Sequence, residues 1–111
     1  MLGKGLAVPI ALEGALKIKE VTTIHAEGDS ASMYRHGLSE LIREDTPVIL
    51  IVLNDENKDA MRQTVKAVKQ KKAKTIVITT DPYLVDIKDV DHLITIEENG
   101  VLSPLLAVIP L

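Results

Sequence analysis

Three charged residues in the run Leu12-Glu13-Gly14-Ala15-Leu16-Lys17-Ile18-Lys19-Glu20 have the spacing that chemistry on a helix needs. At about 100° per residue, Lys17 lies about 40° from Glu13 around a helix, and Glu20 about 20° from it. Glu13, Lys17 and Glu20 therefore make one acid–base–acid stripe. A carboxylate in such a stripe is held in place, and the neighbouring ammonium tunes its proton affinity, as general acid–base work requires. The same spacing also makes an exposed ladder of ion pairs, which is common on helix surfaces. Gly14 lies inside the stripe. A helical Gly costs about 1 kcal/mol relative to Ala, so it marks a close approach by a packing neighbour or a ligand.

Four other features bear on chemistry. His36-Gly37 closes a polar stretch from Thr22, and a His there serves either as a general acid–base or as an ordinary loop residue. His25 follows Ile24 and reads as a structural residue bonded to its neighbours; His92 opens a strand and reads as structural too. None of the three has metal-ligand spacing with another His or a carboxylate cluster, so neither a metal nor another cofactor is expected. Gly3-Lys4-Gly5 follows a short strand, where glycines let backbone N–H groups approach an anion at a helix start. It is far shorter than a dinucleotide or P-loop fingerprint.

The elements that must position these residues follow from the hydrophobic pattern. Met1-Leu2 reads as the tail of a strand, and Pro9 suits the first turn of a helix running to about Val21. The long polar excursion to Gly37 ends in a short helix over Ser39–Ile42. Val48–Leu53 is apolar at every position, as a strand covered on both faces must be. Asn54-Asp55 then caps a helix over Glu56–Lys72, with Ala60, Met61, Thr64, Val65 and Val68 at helical spacing. Further strands are expected at Thr75–Thr79, His92–Ile96 and Leu105–Ile109. Strand–helix–strand order implies right-handed parallel crossovers. The expected fold is a three-layer α/β/α sandwich around a four- or five-stranded, mainly parallel sheet.

Charge and composition narrow the function classes. Thirteen Lys and Arg against 16 Asp and Glu leave a net charge of −3 on 111 residues, a length that suits one domain. With no Phe or Trp and two Tyr, the chain lacks base-stacking platforms, and nucleic acid is not an expected partner. No apolar run is long enough for a membrane span, and no signal peptide is legible. The absence of Cys rules out disulfides and thiolate metal sites and fits a cytoplasmic setting. Lys58–Lys74 is strongly basic and Leu84–Glu98 acidic. The basic run reads as a solvated helix face whose last lysines complement the helix dipole.

The run Gly3-Lys4-Gly5, Pro9-Ile10-Ala11-Leu12-Glu13-Gly14-Ala15-Leu16-Lys17-Ile18-Lys19-Glu20, His25-Ala26-Glu27 and His36-Gly37 resembles the sugar isomerase (SIS) domain family. Within it, the run looks like the second SIS unit of enzymes of the glucosamine-6-phosphate synthase type. The resemblance implies an aldose–ketose isomerisation that takes fructose-6-phosphate to glucosamine-6-phosphate. It implies Glu20 as the base moving a proton between C1 and C2, and His36 as the ring-opening residue. Glu13 and Lys17 would support Glu20, and Gly3, Lys4 and Gly5 would line the substrate side weakly. It also implies a phosphosugar partner and a homodimer, because the family's His usually serves the neighbouring subunit's site. The chain is expected to be one SIS-like domain over 1–111, truncated at its C-terminus and without the first SIS unit and the glutaminase. Where the first unit carries a Ser/Thr-rich phosphate loop, this chain has Asn54-Asp55-Glu56, whose acids repel phosphate. The isolated chain is therefore expected to be inactive. The competing readings are a phosphosugar-binding SIS module without catalysis and a glucosamine-6-phosphate deaminase relative.

Overall fold

A computed structural model describes residues 1–97. Five strands form one sheet: β1 (Leu2–Gly3), β2 (Asp29–Ser30), β3 (Pro47–Val52), β4 (Lys74–Thr79) and β5 (His92–Thr95). The order across the sheet is β2-β1-β3-β4-β5, and every pairing is parallel. Helix α1 (Ala7–Thr22) connects β1 to β2, and helix α2 (Lys58–Gln70) connects β3 to β4. The chain thus winds one way from β1 to β2 and the other way from β3 onward. In open α/β sheets, ligands bind outside the carboxyl ends of the strands where that direction reverses.

Strands β3 and β4 are the centre of the domain and are paired over six residues, from Pro47 opposite Lys74 to Val52 opposite Thr79. Alternate side chains enter two separate cores. Val48, Leu50, Val52 and Val77 pack with Met61, Val65 and Val68 of α2. Ile51, Leu53 and Ile78 pack with Ala7, Ile10 and Ala11 of α1. The two helices therefore lie on opposite faces of the sheet, as the uninterrupted apolar run in β3 requires. Full burial of each Val, Leu, Ile or Met among them contributes roughly 1.5–3 kcal/mol.

The front of the chain depends on two bare α-carbons. A Cβ on Gly3 would lie 2.4 Å from the carbonyl oxygen of Ala7, and one on Gly28 would lie 2.4 Å from that of Ala11. Both glycines let α1 lie directly against the strands that flank it. α1 ends at Thr23, which adopts a left-handed conformation (φ 58°) and donates its N–H to the Lys19 carbonyl at 3.0 Å.

Several expected boundaries move. α1 starts at Ala7, two residues before Pro9, and α2 is shorter than Glu56–Lys72 by two residues at each end. β3 begins at Pro47 and ends at Val52, and β5 stops at Thr95. The polar excursion holds the unforeseen strand β2 and a 3-10 segment, Ala31–His36. A second 3-10 turn at Leu38–Glu40 replaces the helix expected over Ser39–Ile42. The strand expected at Leu105–Ile109 lies outside the described residues.

The basic run is less free than a solvated face. Lys71 donates from Nζ to the Ser39 carbonyl, and Lys72 takes a left-handed conformation (φ 60°) just after α2. Lys69 Nζ reaches both oxygens of Asp91, at 2.9 and 2.8 Å. Asp91 Oδ2 also accepts the Thr75 N–H at 2.8 Å, tying the approach to β5 onto β4 and α2. The Lys69 ammonium, and then the Thr75 N–H, hold the Asp91 carboxyl down at about 2, from an ordinary value of 3.8.

Two predictions follow from this frame. Replacement of Gly28 by Ala is expected to cost about 1–3 kcal/mol in urea unfolding, because the backbone of α1 must give way. A depressed folded-state pKa stabilises the fold fully above the unfolded value. The Asp91 contribution is therefore present above about pH 4 and lost as pH falls through about 2. Asp91→Asn is expected to lower stability at pH 7 and to flatten the loss between pH 4 and 2, read from urea midpoints across that range.

Candidate functional site

α1 buries Ala7, Ile10, Ala11, Gly14 and Ala15, a face made mostly of small residues. Gly14 sits on that inward face, so its smallness serves packing. The stripe runs along the exposed flank beside that face. Lys17 Nζ lies 3.5 Å from Glu13 Oε1 and 3.3 Å from Glu20 Oε2. One ammonium thus bridges two carboxylates four residues back and three residues on, as the helical spacing predicts. About half of each side chain is exposed. The hydrogen bond and charge of Glu20, then those of Glu13, push the Lys17 pKa up, so Lys17 remains an ammonium. Leu12 and Leu16, one turn apart on the neighbouring strip of α1, are also exposed, at 52% and 43%.

His36 is the last residue of the 3-10 segment Ala31–His36, and its side chain is exposed. Among the described residues it makes no hydrogen bond or ion pair with Glu13, Lys17 or Glu20. Its segment is anchored on the other side of the sheet. Tyr34 and Ala31 belong to the core shared with α2, and burial pushes the Tyr34 phenol up. The structure therefore brings together three of the four expected catalytic residues and leaves His36 apart. His25 bonds through Nε2 to Glu27 Oε1 at 3.1 Å, a local contact that suits a structural residue. His92 opens β5 opposite Ile76.

Gly3, Lys4 and Gly5 separate in role. Gly3 is required by the approach of α1. Gly5 has φ 60°, and a Cβ there would meet Asn57 Nδ2 at 2.5 Å. Lys4 lines a recess together with Arg35, Gln63 and Thr64, none of which the sequence singled out for chemistry. At the start of α2, Asp55 Oδ1 accepts the Asn57 N–H at 2.8 Å. A carboxylate of the chain thus holds an N–H that an anion would use at a helix start. Among the described residues, no group of three or more His, Asp or Glu is placed to hold a metal ion. No helix there is long and apolar enough to cross a membrane.

An open, all-parallel α/β sheet with a direction reversal between β1 and β3, carrying a charged stripe on its first helix, defines a doubly wound domain. The chain matches the SIS domain family over residues 1–110 and belongs to it. It is 39% identical over 111 residues to the glutamine–fructose-6-phosphate aminotransferase (isomerizing) of Chlorobaculum tepidum. It is 37% identical over 110 residues to the enzyme of that name from Xylella fastidiosa strain Temecula1. These matches cover 99% and 98% of the chain but 18% of each relative. The fold is similar to the C-terminal domain of glucosamine-fructose-6-phosphate aminotransferase from Francisella tularensis, with a TM-score of 0.89 and 32% identity. That match covers 98% of this chain and 31% of the solved one.

Because the ladder is half exposed, it contributes little to folding. Lys17→Met is expected to leave the thermal midpoint within about 2 °C of the parent, by far-UV circular dichroism. A larger drop would make the ladder a structural device rather than a chemical one.

Proposed function

We propose that the chain is a sugar-phosphate isomerase domain of the glucosamine-6-phosphate synthase type, with Glu20 as its proton-transfer base. The observation that carries this reading is the closed contact of Lys17 with both Glu13 and Glu20 on the exposed flank of α1. Similarity to isomerizing glutamine–fructose-6-phosphate aminotransferases supports the substrate class.

In this reading, the Glu20 carboxylate removes a proton from C1 of an open-chain ketose phosphate. The C–H electron pair forms the C1–C2 double bond, and the displaced pair, with a proton, goes to the C2 oxygen, or to the C2 nitrogen where ammonia has first condensed with the ketone and released water, giving an enediol or an enaminol. The double-bond pair then takes the proton back from Glu20 at C2, while the C1 hydroxyl releases its proton and its O–H pair closes the C1 carbonyl of the aldose. One base can serve both carbons because they are adjacent and present one face. Lys17 holds Glu20 in position, and Glu13 holds Lys17. His36 is assigned to opening the sugar ring. Its segment packs with α2 while α1 covers the opposite face, which supports delivery of His36 to the stripe of a second copy in a homodimer.

The acids of Asn54-Asp55-Glu56 leave no phosphate loop at the end of β3, so the remaining substrate contacts are assigned to a separate SIS unit. The 111-residue chain alone is accordingly expected not to turn over fructose-6-phosphate. In a longer protein carrying both units, Glu20→Gln is expected to lower the rate of isomerisation by about 10²–10⁴-fold. Solvent deuterium incorporation at C1 and C2, followed by NMR, reads that step directly. Undiminished exchange in the variant would remove Glu20 from the mechanism. Retained phosphosugar affinity without exchange in the parent would favour a binding module.

A further inference from the structure

We infer that Thr22 and Thr23, at the exit of α1, form a latch that fixes the direction of Glu20, and that they are positioning residues for the proton transfer assigned to it. This rests on the isomerase reading, which supplies the reaction at Glu20. Glu20 lies in the last turn of α1, which ends at Thr22. The last turn is where a helix leaves carbonyls without partners and where it frays. Glu20 keeps its 3.3 Å contact with Lys17, three residues earlier, only while that turn stays helical. A base placed there needs the helix end to be held.

The outgoing chain works against that turn. A Cβ on Gly28 would lie 2.4 Å from the Ala11 carbonyl oxygen and 2.7 Å from the Leu12 Cα. The chain therefore returns from the end of α1 to the level of Ala11. From Ala11 to Thr22 the helix rises about 16 Å, at about 1.5 Å per residue. The chain from Thr22 to Gly28 reaches at most about 20–22 Å when fully extended. It must also turn round the helix end, so it has little slack. Unwinding the last turn would shorten α1, lengthen the return and restore chain entropy. The native end of α1 has to be held against that release.

Thr22 and Thr23 hold it. The Thr22 hydroxyl donates to the Ile18 carbonyl at 2.6 Å and accepts the Ile24 N–H at 3.1 Å. One hydroxyl thus joins the turn that carries Glu20 to the chain beyond it. The Thr23 N–H donates to the Lys19 carbonyl at 3.0 Å, and the Thr23 hydroxyl donates to the Thr22 carbonyl at 2.6 Å. Thr23 does so at φ 58°, a left-handed conformation that β-branched residues rarely adopt and that Gly usually fills at a helix end. Gly would relieve the backbone but lacks the hydroxyl. Strain of this kind persists where the surrounding structure holds it, and it gathers at functional sites. Both residues are exposed, so their hydroxyls fill no core, and removing them tests direction rather than packing. The Lys17 ammonium, pushed up first by its hydrogen bond to Glu20, reports on that direction.

The test has two arms. In the 111-residue chain, NMR follows the Lys17 ammonium titration and the exchange of the Ile24 amide with solvent deuterium. Thr22→Val keeps the shape of the side chain and removes its hydroxyl. It is expected to lower the Lys17 midpoint toward the ordinary value and to speed Ile24 exchange about tenfold. Thr22→Ser is expected to restore both. In a longer protein carrying both units, Thr22→Val is expected to lower kcat for isomerisation about tenfold with KM held within about twofold, and Thr22→Ser to recover the parent rate. Thr23→Gly is expected to raise the thermal midpoint while kcat falls about threefold or more; a merely structural residue would move both the same way. An unchanged Lys17 midpoint in Thr22→Val, an unchanged kcat in both Thr22→Val and Thr23→Gly, or no rescue by Ser would overturn the latch. If Glu20→Gln leaves isomerisation undiminished, the isomerase reading fails, and the catalytic role of the latch with it. If Glu20→Gln stops the reaction and the threonine variants match the parent, the latch alone fails.

Discussion

Strands β3 and β4 have to be buried on both faces, because the crossover helices α1 and α2 lie on opposite sides of the sheet. That requirement organises the rest of the chain. Val48, Leu50 and Val52 take α2, and Ile51 and Leu53 take α1. Each helix therefore has one face committed to the sheet and one face left for other work. α1 meets its commitment with Ala7, Ile10, Ala11, Gly14 and Ala15, which leaves Glu13, Lys17 and Glu20 on a half-exposed flank. The position of the stripe is thus a consequence of the sheet's two-sided burial and of the close approach that Gly3 and Gly28 permit.

The parts legible in the sequence were those governed by local periodicity. Six consecutive apolar, mostly β-branched residues bounded by Pro47 and Asn54-Asp55 read as a doubly covered strand, and α2 showed its buried face at helical spacing. The stripe was legible for the same reason, since four- and three-residue spacings fix angles on a helix whatever surrounds it. β2 was not legible. It is two residues long, Asp29 and Ser30, and its pairing depends on β1 and on the packing of Gly28 against α1. The 3-10 segment Ala31–His36 was hidden too, because Tyr34 anchors it to a core formed by distant residues. Lys69 looked like part of a solvated run; only the fold brings Asp91 to it. The recess was the least legible feature, being assembled from three elements with no common motif.

The charged groups of the chain fall into two kinds. Lys69 and Asp91 are structural: their pair, with the Thr75 N–H, fixes the approach to β5, and the depressed Asp91 pKa records how firmly. The stripe is different. Its members satisfy one another along a single helix and fix no other element in place. Removing them costs the fold little, which frees them for chemistry.

That freedom sets a condition on any reaction at Glu20. A base half exposed to water acts in a medium that screens its charge and solvates the developing enediolate. Efficient proton transfer between carbons needs water excluded and the charges fixed in a low-dielectric setting. The described part of this chain provides no cover over the stripe; it provides margins for one, in exposed Leu12 and Leu16 beside Glu13, Lys17 and Glu20. An apolar border around an open, mutually satisfied charge cluster is the outline of half a site. On the proposed reading, a separate SIS unit and a second copy's His36 close it. The buried face of α1 therefore decides where the base stands, and what covers the exposed face decides whether it reacts.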